Sequence, residues 1–68
     1  MKNDKLHTKI AGQNKTVSVT YETVTDDRLL VRVNGEYDAL IACYCYRFQK
    51  LATIVRAADG GWLVSVIK

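Results

Sequence analysis

A chain of 68 residues makes one domain at most and lies near the lower size limit for a self-sufficient core, so a metal, a disulfide, a partner or a second copy would add usefully to its stability. Its 49% apolar and 25% charged residues exclude a disordered chain and describe an ordinary globular one. The net charge of +3 belongs to residues 1–15, where Lys2, Lys5, Lys9 and Lys15 face only Asp4; from residue 16 onward six basic and six acidic side chains balance, and the folded body is neutral.

Taken in chain order, residues 1–5 read as a polar, flexible tail, with residues 1–68 forming a single domain. Leu6, Thr8 and Ile10 alternate with His7 and Lys9, a weak strand pattern, and Gly12-Gln13-Asn14 supplies a turn. Thr16–Val24 is clearer: Val17, Val19 and Tyr21 alternate with Ser18, Thr20 and Glu22, as in a strand with one buried and one wet face. Thr25-Asp26-Asp27 turns the chain, and Arg28–Val33 returns with Leu29, Val31 and Val33 inward and Arg28 and Arg32 outward.

Residues 36–51 carry the period of a helix. Tyr37, Leu40, Ile41, Tyr44, Phe48 and Leu51 fall within one arc of about 100°, the stripe a helix lays on a core. Glu36 and Asp38 at its start and Arg47 and Lys50 at its end suit the helix dipole, and Asn34-Gly35 offers cap chemistry. Ala52–Ala57 and Trp62–Ile67 then form a second hairpin around Asp59-Gly60-Gly61. The prediction is an α+β two-layer domain, an antiparallel sheet of four or five strands with one helix on one face, in the order (β)ββαββ. The competing reading is a small all-β barrel, because Asn34-Gly35 also suits a hairpin turn and Tyr44–Phe48 contains residues that strands favour; period 3.6 fits better than period 2.

Little here supports catalysis. The one histidine, His7, lies near the terminus, Cys43 and Cys45 lack an evident base, and Asp26-Asp27 is a solvated turn. The expectation is a protein that is not an enzyme. Two cysteines in a Cys-x-Cys spacing and one histidine are too few for a closed zinc site, and on a helix those thiols face opposite ways. No cofactor or metal is expected, and the cysteines read as reduced thiols. No run of about 18 apolar residues occurs and the N-terminus lacks a signal-peptide core, which points to the cytoplasm and to no membrane partner.

Two contact surfaces compete. Opposite the predicted core stripe, the helix shows Ala39, Ala42, Cys43 and Tyr46, with Lys50 at the end, a small-residue platform around one aromatic ring that suits a protein partner. The alternative is nucleic acid, held by Lys2, Lys5, Lys9 and Lys15 with Arg28 and Arg32 from the sheet, and with Tyr46 or Trp62 stacking on bases. Ile54, Val55, Leu63, Val64, Val66 and Ile67 place apolar groups on both faces of the last hairpin, so either those strands are central or a second molecule covers them, as in a homodimer.

The arrangement carried by Leu29–Val33, Tyr37–Leu51 and Ile54–Ile67 resembles, in size and layout, small phage-encoded inhibitors, including anti-CRISPR proteins and inhibitors of host polymerases. That resemblance implies a binding protein that occludes a functional surface of a larger nucleic-acid-processing complex. It carries over no functional residue.

Overall fold

The computed structural model describes residues 2–68. Five strands and one helix follow in the order β1 (Asn3–Ile10), β2 (Gln13–Val24), β3 (Arg28–Val33), α1 (Glu36–Tyr46), β4 (Leu51–Arg56) and β5 (Trp62–Ile67). All neighbours in the sheet are antiparallel, in the order β1-β2-β3-β5-β4, and α1 crosses one face touching every strand. The predicted α+β two-layer fold is therefore the observed one, and the all-β barrel is excluded by α1. Among the described residues no helix is long and apolar enough to cross a membrane.

Alternation sorts the strands as expected. Val17, Val19, Val31, Val33, Val64 and Val66 are buried beneath α1, and Leu6, Ile10, Tyr21, Leu29, Ile54 and Trp62 pack around them. A bulge between Tyr21 and Thr23 lets β2 bend while Tyr21 stays on this face. The weakly signalled first strand exists and is longer than expected. Of the anticipated tail 1–5, Met1 lies outside the described residues, while Asn3–Lys5 pair with Ser18–Thr20.

Turn chemistry accounts for the hairpins. Thr25 and Asp27 hydrogen-bond within their turn, and Gly60 takes the positive φ that its Asp-Gly step favours. The first turn is Ala11-Gly12, one residue earlier than Gly12-Gln13-Asn14, with both residues at positive φ between the paired Ile10 and Gln13. This geometry suits Asn-Gly better than Ala-Gly, because the Ala11 Cβ crowds its own backbone at φ 51°. Ala11→Asn is expected to raise stability by about 0.5–1 kcal/mol, read as a thermal midpoint several degrees higher. An unchanged midpoint would show that the turn stores no strain.

The helix differs from expectation in length and in phase. It ends at Tyr46, with Arg47 as C-cap and a turn closed by the Gln49 and Lys50 N–H groups on the Tyr46 carbonyl. Leu51 therefore opens β4 instead of closing the helix, and Lys50 lies beyond the last turn. Gly35 is the N-cap, extended and without a side-chain cap bond, so Asn34 does not serve as one. The phase change is larger, because the small residues Ala39, Ala42 and Cys43 face the sheet with Ile41.

Candidate functional site

Rotation of the helix exchanges the two predicted faces. Ala39 and Ala42 are 0% exposed, Cys43 is buried with its Sγ 3.3 Å from the Ala52 carbonyl oxygen, and Tyr46 is half-buried against the core. These four make up the expected partner platform, and as core residues they are not available to one; of that set only Lys50 is exposed. Of the expected core stripe only Ile41 is buried. Tyr37 (61% exposed), Leu40 (54%), Tyr44 (45%) and Phe48 (68%) stand in solvent, as does Leu51 on its strand.

Size decides this exchange. The strands already bring Leu6, Tyr21, Ile54 and Trp62 around the helix, leaving a gap that alanine and cysteine fill and that tyrosine or phenylalanine would overfill. Larger apolar side chains are pushed to the outer side. There they form a ridge at positions 37, 40, 44 and 48, one line along the helix and past its end. The Tyr44 and Phe48 rings meet edge to face with centroids 5.0 Å apart, and the Lys15 ammonium lies 5.9 Å from the Tyr37 ring centre. Half of the six aromatic side chains of the chain lie on this ridge.

The basic residues do not converge. Lys5 and Lys9 alternate with Leu6 and so lie on the sheet face away from α1, whereas Lys15, paired with Thr8, lies on the helix side beside Tyr37. Lys2 is exposed at the start of the chain. Arg28 and Arg32 do project from the open face, as expected. Arg28 Nε donates to Ser65 Oγ at 3.2 Å, and Arg32 is paired with Glu22 and, at 3.4 Å, with Asp59. The Glu22 contact holds the Arg32 guanidinium even more firmly protonated, and the Gly61 N–H with Arg32 keeps the Asp59 carboxyl below its usual range. Trp62 is half-buried with the Arg56 guanidinium 4.2 Å from its ring centre, so neither it nor Tyr46 presents a free stacking face.

A cleft of about 300 Å³ runs between β1 and the end of α1, bordered by Leu6, His7, Cys45, Tyr46 and Phe48. His7 borders it from β1, but its side chain alternates with Leu6 and lies with Lys5 and Lys9 on the sheet face away from α1. There His7 Nδ1 pairs with Thr16 Oγ1 at 3.2 Å. Among the described residues no hydrogen bond joins His7 to Cys45, and no three His, Cys, Asp or Glu side chains cluster. The Tyr46 hydroxyl is shut off from solvent and has no hydrogen-bond partner among the described residues; burial pushes its pKa up to about 12. Near it the Tyr21 hydroxyl donates to Asp4 Oδ2 at 2.8 Å, which lowers the Asp4 pKa and raises that of Tyr21.

The last hairpin has apolar groups on both faces for two reasons. β5 is central, so Leu63 is buried on the open face, whereas β4 is an edge strand that leaves Leu51 and Val55 exposed beside Ile67. Comparison with protein families, with curated proteins and with solved structures finds no match to this chain.

Proposed function

We propose that this chain is a non-enzymatic protein-binding module whose contact surface is the outer ridge of α1. One observation carries the reading: Tyr37, Leu40, Tyr44 and Phe48 stand exposed in one line along α1 and just past its end, while the core beneath is built mainly from valine and alanine. A contiguous patch of aromatic and aliphatic side chains is the composition of an interface centre, and isolated apolar groups on a surface do not line up in this way. The resemblance in size and layout to small phage-encoded inhibitors, read from the sequence, extends the proposal to occlusion of a larger nucleic-acid-processing complex in the cytoplasm, where the unpaired Cys43 and Cys45 stay reduced. Direct binding of nucleic acid has less support, because Lys15 sits on the other face from Lys5 and Lys9 and Arg32 is already paired.

The test compares wild type with the Leu40→Glu/Phe48→Glu double variant as bait in a nuclease-treated lysate of the native host. The variant should melt like wild type at low protein concentration and retain at least tenfold less of a defined protein complex. Equal retention by both baits would move the contact off the ridge, and loss of all retention on nuclease treatment would favour nucleic acid.

A further inference from the structure

The ridge is flanked by charges of opposite sign at its two ends. Glu36 opens the helix and Arg47 caps it, both exposed. Eleven residues bring the chain to within about 20° of three full turns, so the two lie on the same flank of the ridge, roughly 16 Å apart. Between them the apolar positions are spaced nearly symmetrically about the level of Ala42, with Tyr37 and Phe48 outermost and Leu40 and Tyr44 within. A surface with that symmetry is complementary to itself when one copy is turned end for end.

We infer that, when no other protein is bound, the ridge is covered by a second copy of this chain, the two α1 helices packing antiparallel about a two-fold axis that crosses the ridge between Leu40 and Tyr44. This rests on reading the ridge as a protein-contact face and names its occupant. Turning one copy over sets Leu40 against Tyr44 of the second copy, Tyr37 against Phe48, and Glu36 against Arg47, each pair occurring twice. Parallel packing would instead set these residues of the two copies on opposite flanks, where Glu36 and Arg47 meet no opposite charge, so the charges favour the antiparallel arrangement. Arg47 is available for this because its Nε bond to the Ala52 carbonyl, at 3.1 Å, leaves the terminal guanidinium nitrogens free. The exposed fractions of the three aromatic side chains and Leu40 amount to roughly 400–450 Å² per copy when each full side chain is taken as about 200 Å². With the flanking charged side chains this approaches the ~600 Å² per partner at the lower end of specific interfaces. A 68-residue chain with a core of small side chains gains from such a contact.

Analytical ultracentrifugation of the full chain tests the inference, with melts by circular dichroism to show that each variant is folded. Wild type should sediment as a dimer, and Leu40→Lys, which sets a charge at the centre, as a monomer. Glu36→Lys alone and Arg47→Glu alone should each weaken self-association at least tenfold, since each brings like charges together twice. An equimolar mixture of those two variants should recover dimerisation of wild-type strength, because in the mixed dimer both basic groups of one variant meet both acidic groups of the other. A wild type that stays monomeric up to ~1 mM overturns the inference while leaving the lysate comparison to judge the ridge as a contact face for other proteins. A dimer indifferent to Leu40→Lys, or a mixture that fails to recover, overturns it as well.

Discussion

Tyr46→Ala is expected to lower the unfolding free energy by about 2–3 kcal/mol, while Tyr44→Ala, two residues away, should change it by no more than about 0.5 kcal/mol in the monomer. The difference follows from the helix phase. Tyr46 packs against the core cluster, and its removal opens a void that the surrounding β-strands cannot close; Tyr44 loses only its edge contact with Phe48. Urea melts of the two variants measure this directly, and equal losses would contradict the phase. Tyr46→Phe separates packing from polarity. The hydroxyl is buried without a partner, so its removal should stabilise the fold by about 1 kcal/mol. The same group gives a pH signature. Its folded pKa of about 12 lies above the ordinary 10.0, so its contribution is intact below pH 10 and is lost as pH rises toward 12, where only the unfolded chain ionises readily. The Tyr46→Phe variant should show a shallower alkaline decline, the remainder coming from Tyr21, whose pKa is raised by its bond to Asp4.

Ala42→Leu should be as damaging, at about 2–3 kcal/mol or a midpoint roughly 10–20 °C lower, although it adds hydrophobic surface to an apolar helix. Ala42 has no exposed surface and faces a sheet whose inward Val31, Val64 and Val66 are also fully buried, so three further carbon atoms must push α1 off β5 or force Val64 and Val66 from their rotamers. Leu40→Ala on the outer side is the control and should leave the monomer's midpoint nearly unchanged. Thermal melts at low protein concentration keep self-association out of the comparison. If Ala42→Leu melts like wild type, the helix does not sit on its alanine face.

These two results bear on how far residue patterns reach in this chain. Period-two alternation in Thr16–Val24 and Arg28–Val33 and the turn residues at Thr25–Asp27 and Asp59–Gly61 are local properties, and they suffice for the hairpins, the α+β class and the inward set of valines. The outward Arg28 and Arg32 follow from the same alternation. The pair with Glu22 forms within the β2–β3 hairpin, whereas the contacts with Ser65 and Asp59 join residues that are adjacent only after β3 has docked on β5.

The phase of α1 is a different kind of property. Glu36–Tyr46 is apolar on both sides, so periodicity establishes that a helix forms without selecting which side turns inward, and the larger side chains are the natural choice if only hydrophobicity is weighed. Volume makes the choice instead. The strands deliver Leu6, Tyr21, Ile54 and Trp62 from four separate stretches of chain, and the space they leave admits Ala39, Ala42 and Cys43 at close range. That space exists only once the sheet is assembled, which is why Tyr46, expected on the surface, belongs to the core, and why Tyr37, Leu40, Tyr44 and Phe48, expected in the core, form the outer ridge.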